Sequence, residues 1–489
     1  MVFPMLLAYL IATPFLAALF IVSLKPSESR LIERTVQIAA LIGAALCVNI
    51  LMTFESGATF IVGKYLALDA LSLLLTLIIS GVGCVVAFYA IGYLRQEVKK
   101  NIIGPRRVKQ FFVLFELFLF AMLVAANAAN PVLMWIAIEA TTLSTAFLIS
   151  FYNKPTATEA AWKYLIINSL GLLIGFLGTL LFLALPQGMS EGGIMTWADL
   201  RAAASGFHPV VVKVAFLFVL VGYGTKVGLV PMHTWLPDAH GKAPSPISAL
   251  LSGVLLNVAL VSVLRFKGLI DLSIGDEFSS MLLMYFGLAS VVIAALIIFA
   301  QRSYKRLLAY SSIEHMGIIA LGLGFGGVGT LAALFHMLYH SISKVLLFLA
   351  SGNILLRFGS TKFEYVSGVI RALPITGSLF LAGFLALSGL PPFGMFFSKF
   401  LILSAGTESH FGLMIVALVA LAAAFYGFFR HVSPMLFGPL SEGVERGEAQ
   451  ISTIVPLCIL MGVYLVFSFF FPEPILAVLH DAAGMISPK

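Results

Sequence analysis

Two histidines and a lysine stand at steps of four in Phe335–Gly352, FHMLYHSISKVLLFLASG. On an α-helix, His336, His340 and Lys344 drift only about 80° in total and rise about 12 Å along one face. The rest of the stretch is apolar enough to lie in lipid, where inserting one ionisable group costs on the order of 3 kcal/mol. Imidazole exchanges protons near neutrality. A lysine out of water gives up its proton more readily until a carboxylate stands beside it. Together these residue types offer proton relay. The competing chemistry is zinc, which i, i+4 histidines bind; zinc normally needs a third protein ligand, and Lys344 is a poor one.

The same types recur inside other apolar runs. Glu139 lies in MWIAIEATTL, Lys163 in AAWKYLIINSLG and Lys226 in VGYGTKVGLVPMHTW. Glu314 and His315 lie in SSIEHMGII, Lys399 in SGLPPFGMFFSKFLIL and Glu116 in FFVLFELFLF. An ionisable group at membrane depth is a functional site by default. Structural readings stand beside the functional ones. Lys163 is close to the start of its run and can snorkel to the interface. Glu116, six residues into its predicted span, fits an interfacial role as well as a functional one. Glu314 can face away from the path and merely reach a polar neighbour.

Composition fixes the elements that must hold these groups. Of 489 residues, 60% are hydrophobic and 10% charged, with mean hydropathy +1.05. A soluble domain carries about 25% charge, so no water-exposed surface can be built from this chain. Apolar runs of about 20 residues recur from end to end, and none alternates as a barrel strand would. The pattern predicts an all-α polytopic membrane protein of about fourteen transmembrane helices. The expected spans are roughly 3–24, 31–53, 68–94, 110–128, 131–151, 160–185, 209–231, 245–266, 280–300, 305–325, 330–356, 375–404, 411–432 and 452–471. Spans seven and twelve carry Gly and Pro in mid-run, next to Lys226 and Lys399. Pro cannot donate a backbone bond, so such breaks free carbonyls that line cavities. Paired breaks in two halves of a membrane protein indicate inverted repeats. The expected organisation is helices one to three in 1–109, a first five-helix repeat (helices 4–8) in 110–267, a second (helices 9–13) in 280–432, and helix fourteen in 433–489.

The net charge of +7 does not point to nucleic acid. Most of the Lys and Arg fall in alternate loops, including KPSESRLIER, RQEVKKNIIGPRRVKQ and QRSYKR. That asymmetry places these loops in the cytoplasm and both termini outside. The first span lacks a basic leader and is expected to be a retained helix. Cys47, Cys84 and Cys458 are scattered through apolar runs without metal-binding spacing. There is no P-loop, and no nucleotide or redox cofactor site is expected in this chain.

The segment KVGLVPMHTWLPDAHGKAPSPISALLSGVLL (226–256) resembles the signature of the antiporter-like subunits of respiratory complex I. Mrp-type Na⁺/H⁺ antiporters and energy-converting hydrogenases share it. FHMLYHSISKVLLFLASG and SGLPPFGMFFSKF are similar to that family's eleventh and twelfth helices. IEATTLSTAFLISFY and YSSIEHMGIIALG look closest to the F subunit of hydrogenase-4, a group-4 membrane-bound hydrogenase. The resemblance covers about residues 65–435. It implies two half-channels joined by a central hydrophilic axis. Glu139 then matches the helix-5 glutamate that pairs with the helix-7 lysine, Lys226. Lys344 matches the helix-11 lysine, His336 and His340 its upstream histidines, and Lys399 the helix-12 ionisable group. Asn257 stands where some relatives carry a titratable group in helix 8.

These expectations add up to a proton-translocating subunit of a complex I-like oxidoreductase, of hydrogenase-4 type. Its ion path would run through Glu139, Lys163, Lys226, His315, His336, His340, Lys344 and Lys399. Fe–S clusters and a Ni–Fe or quinone site would belong to partner subunits: other membrane subunits and a peripheral redox arm. The location implied is a bacterial or archaeal cytoplasmic membrane. Rival readings are an Mrp-type Na⁺/H⁺ antiporter subunit, the membrane subunit of a bicarbonate-uptake complex, and a non-pumping anchor.

Overall fold

The structure is a computed structural model that describes residues 2–186, 194–408, 410–448 and 450–486. In hydrocarbon no water serves a free N–H or C=O, so apolar runs must pair their backbone internally and form helices. Among the described residues, thirteen helices are long and apolar enough to cross a membrane. Spans one to six are Val2–Ser23, Ser29–Thr53, Ala70–Lys99, Pro105–Ala126, Pro131–Ile149 and Pro155–Ala184. Span seven runs Pro209–Val227 and resumes as Trp235–Lys242; span eight covers Ser245–Ile274. Spans nine, ten and eleven are Glu277–Ile298, Tyr304–Phe325 and Val328–Phe358. Span twelve is made of two short apolar helices, Pro374–Ser388 and Gly394–Ala405. Spans thirteen and fourteen are Phe411–Phe437 and Ile451–Phe469, and a last helix covers Glu473–Ile486. The expected fourteen crossings with two broken ones are thus present. Pro105 and Pro155, each at a first helical position, start spans four and six five residues earlier than hydropathy suggests. Glu116 therefore sits at mid-helix, not near an end.

The two breaks share a construction. Span seven stops at Gly228 and the first half of span twelve at Gly389, with φ of +83° and +79°. Only glycine adopts that conformation without cost, so the helix ends there. A cis X–Pro peptide follows each, Val230–Pro231 and Pro391–Pro392. Carbonyls freed near the breaks find side-chain donors: Thr225 O accepts from Trp235 Nε1 at 2.8 Å. Leu387 O and Ser388 O accept from Lys399 Nζ at 3.2 and 3.3 Å.

Spans four to seven and nine to twelve repeat one neighbour order. Span five packs on four as ten packs on nine, six on five as eleven on ten, and seven on six as twelve on eleven. Five is odd, so a second set that continues the chain enters from the opposite side, which makes the repeat an inverted one. Close approach of spans six and seven depends on glycine: a β-carbon on Gly222 would lie 2.1 Å from the Gly175 backbone N and 2.7 Å from Gly171 O. Small residues let membrane helices approach at this range. Gly222→Ala is expected to force the pair apart at a cost of about 1–3 kcal/mol, read as a lower thermal midpoint of the detergent-solubilised protein.

Spans eight, ten and eleven are enclosed almost completely, whereas span two shows most of its surface. Helices apolar all round belong inside, and here the enclosed helices also carry the buried polar groups. Span eight has a π-helical turn at Leu251–Leu255, just before Asn257; such bulges often mark functional sites.

Between spans two and three, a hairpin pairs Phe60–Val62 with Leu66–Leu68. Asp69 follows it and caps span three, accepting from Ser72 N at 2.8 Å. Arg265 from span eight grips the same carboxylate in a two-pronged pair at 2.9 and 3.1 Å. Burial alone would raise the Asp69 carboxyl, but Arg265 outweighs it and holds the group below the usual carboxylate range. The stability this pair gives is therefore complete above the ordinary carboxylate value and is lost as pH falls through the depressed one. Asp69→Ala should cost about 3–5 kcal/mol near pH 7, because it strands a buried guanidinium. The gap in thermal midpoint from the native protein should narrow on acidification.

Candidate proton-relay site

The first cluster joins spans five, six and seven. Lys226 is fully buried, and its Nζ donates to Thr142 Oγ1 at 2.8 Å and Tyr164 OH at 2.7 Å. The ammonium also lies 4.7 Å from the Tyr164 ring centroid, a cation–π distance. Tyr164 shares a 2.6 Å hydrogen bond with Thr145, and its ring packs edge-on against Trp235 across the break. Glu139 is turned elsewhere: Ser169 Oγ donates to its Oε1 at 2.7 Å, and its Oε2 has no partner. Glu139 and Lys226 act on each other through space, but the contact pair implied by the resemblance is open in this structure.

The second cluster joins spans ten, eleven and twelve. Ser398, His336 and His315 form a chain: His336 Nδ1 is 2.9 Å from Ser398 Oγ, and its Nε2 is 2.8 Å from His315 Nδ1. The two imidazoles are stacked, with ring centroids 5.1 Å apart. His340 stands 5.4 Å from His315, centroid to centroid, with neither ring nitrogen bonded to another side chain or the backbone. Lys344 donates to Leu308 O at 2.9 Å and to Ser311 Oγ. The row on span eleven is therefore not a single file. His336 addresses span twelve and Lys344 addresses span ten, with His340 between them.

Glu314 does not face away from the path. It is nearly buried and 3.9 Å from Lys399 Nζ. Glu314, Lys399, His315 and Ser311 line a cavity of about 20 Å³, room for about one water. Lys399 closes the second cluster as Lys226 closes the first: each lysine lies beside a break and contacts hydroxyls or carbonyls.

Hydroxyls join the halves. Ser252 of span eight and Ser312 of span ten share a 2.7 Å hydrogen bond. Ser312 neighbours Ser311, the Lys344 partner. Asn257 donates to Ser341 Oγ at 2.8 Å, and its Oδ1 is unpaired. Its substitution for a titratable residue therefore leaves a polar contact between spans eight and eleven.

Lys163 is not brought into this interior. Its side chain is half exposed and pairs with Glu159 at 2.6 Å and Asp238 at 3.5 Å, while Asp238 also holds Arg306. Lys163→Ala should leave ion transport within about twofold of the native level, since an exposed pair contributes little. A vesicle pumping assay checks this.

Lys305, His240 and Glu97 are buried groups that escaped the sequence reading. Lys305, read as part of a basic loop, is 1% exposed and donates to Ala243 O at 2.7 Å. Its helical spacing to Leu308 and Ser312 was the available signal. His240 lies just past the first break and is fully buried, with Nδ1 at 2.8 Å from Leu236 O and Nε2 unpaired. Glu97 at the end of span three accepts from Tyr152 and lies near enough to act on Lys305. Burial and the Glu97 carboxylate push the Tyr152 phenol well above its ordinary value, so it remains a donor.

Residues 128–425 match the family described as "NADH:quinone oxidoreductase/Mrp antiporter, TM", and residues 58–101 match "NADH-Ubiquinone oxidoreductase (complex I), chain 5 N-terminus". The chain is 40% identical to the hydrogenase-4 component F homolog of Methylacidiphilum infernorum, over 70% of this chain and 73% of that protein. It is 30% identical to hydrogenase-4 component B of Escherichia coli, over 86% of this chain but 62% of that longer protein. Among solved structures it superposes on a chain of the membrane-bound sulfane sulfur reductase, an archaeal respiratory membrane complex. The TM-score is 0.85 at 26% identity, covering 98% of this chain and 97% of the other.

Proposed function

Because the chain belongs to the NADH:quinone oxidoreductase/Mrp antiporter family of membrane proteins, we propose that it moves protons across a bacterial or archaeal cytoplasmic membrane as one subunit of a hydrogenase-4-type complex. The observation that carries this reading is the set of buried lysines and histidines placed at two symmetry-related breaks. The 40% identity to a hydrogenase-4 component F homolog supports the finer assignment. Electron transfer belongs, on this reading, to partner subunits with Fe–S clusters and a Ni–Fe or quinone site.

The geometry suggests the cycle. With Glu139 turned to Ser169, the Lys226 ammonium is held only by hydroxyls and has no counter-charge in contact, so its proton is free to leave. Serines of spans eight and ten and His240 offer the next acceptors. Lys344 and the His315–His336 pair receive the charge, and Lys399 beside Glu314 is the far terminus. Return of Glu139 to Lys226 would draw in the next proton. Electrostatic switching of this kind needs no redox group in the chain itself.

Affinity purification from native membranes, with mass identification of the co-purifying proteins, tests the assignment. Hydrogenase large and small subunits are expected. Recovery of antiporter subunits alone would move the assignment to Na⁺/H⁺ exchange, and a zinc-binding soluble partner would move it to bicarbonate uptake.

A further inference from the structure

Glu116 takes no part in either cluster. It is 2% exposed, at the middle of span four, and makes no hydrogen bond or ion pair among the described residues. It lines a cavity of about 30 Å³ with Leu10 and Pro14 of span one, Gly43 of span two and Ser80 of span three. Two further oxygens belong to that cavity. Ser80 Oγ is buried beside the Cys47 thiol. Pro14 lies inside span one and has no N–H to give the Leu10 carbonyl one turn earlier. A carboxylate here would stand out of water with no counter-charge in contact among the described residues, so the group that fits is the neutral acid. One carboxyl and two neutral oxygens are too few to strip and hold a bare cation, but a water needs only 2–4 polar partners and about 10–15 Å³.

The cavity has a way out to lipid. Gly43 meets nothing within 4 Å of the position its β-carbon would take, and span two is the least enclosed of the spans. The small residues Ala39, Ala40 and Gly43 form its wall on that side.

We propose that Glu116, Ser80 and one bridging water form a protonated-acid site, separate from the two half-channels, which a membrane-soluble carbodiimide reaches from the bilayer past Gly43. The reaction is an addition. The Glu116 proton passes to one carbodiimide nitrogen while the carboxyl oxygen bonds to the central carbon. The acyl group then shifts to nitrogen, leaving an N-acylurea that contains every atom of the reagent. No oxidant, reductant or leaving group is needed.

The test treats the intact complex in native membranes with dicyclohexylcarbodiimide and maps adducts by peptide mass. An adduct on the Glu116 peptide is expected, together with an infrared protonated-carboxyl band that Glu116→Gln abolishes. Gly43→Phe should reduce labelling of that peptide about tenfold while complex yield holds. A Glu116 that labels only after denaturation in dodecyl sulfate overturns the proposal. Equal labelling in Gly43→Phe overturns the lateral route, and persistence of the infrared band in Glu116→Gln overturns the assignment of the acid.

Discussion

Lys226→Ala should abolish proton translocation while the complex still assembles. Among the described residues every hydrogen-bond partner of the Lys226 ammonium is a hydroxyl, Thr142 and Tyr164, and neither alcohol nor phenol can take up and hold a proton at neutral pH in its place. Loss of a positioned proton carrier costs about a hundredfold or more. Assembly should survive because the removed charge has no counter-ion in contact, so no buried carboxylate is stranded. Lys226→Arg separates charge from proton exchange. A guanidinium keeps the charge but does not deprotonate in proteins, so this variant should be as inactive as Ala. Acidification of inverted vesicles, measured with a pH-sensitive dye and compared at equal complex content, reads both. Native pumping in Lys226→Arg would refute the exchange role.

Lys344→Ala should stop transfer at the second cluster with a loss of similar size, about a hundredfold. Lys344 is fully buried and is the only titratable group hydrogen-bonded to Ser311 among the described residues. Removing it takes away the group of span eleven that is bonded to the serine hydroxyls, while the His315–His336–Ser398 chain remains intact. The two variants differ in one further respect. Lys344→Ala should leave the residues of the first cluster untouched, so Glu139 can still leave Ser169, return to Lys226 and charge it, without turnover. Stopped-flow proton uptake should therefore retain a first event in Lys344→Ala and show none in Lys226→Ala.

Much of this was legible because membranes punish polarity. Lys226, Lys344, Lys399, His315, His336 and His340 stood out against their apolar runs, and Gly–Pro breaks interrupt the runs that carry Lys226 and Lys399. What was hidden depended on which way a side chain points. Lys163 lies in the same run as Tyr164, yet the phenol turns inward to Lys226 and the amine turns out to Glu159 and Asp238. Lys305 was hidden in a basic loop because topology-setting lysines and buried ones look alike one residue at a time. Serines and threonines gave no signal at all: they are common in helices, and only the fold shows that Thr142, Ser252, Ser311 and Ser312 meet partners from other spans.

The Ser252–Ser312 contact has a consequence of its own. Either hydroxyl can be the donor, so the pair has two orientations, and a proton that hops through converts one into the other. A second proton cannot follow in the same direction until both hydroxyls rotate back. On the proposed path, the junction between spans eight and ten is a turnstile that clicks once and must be reset. Lysines set how strongly each proton is held, but this pair of alcohols would count protons, one to each reset.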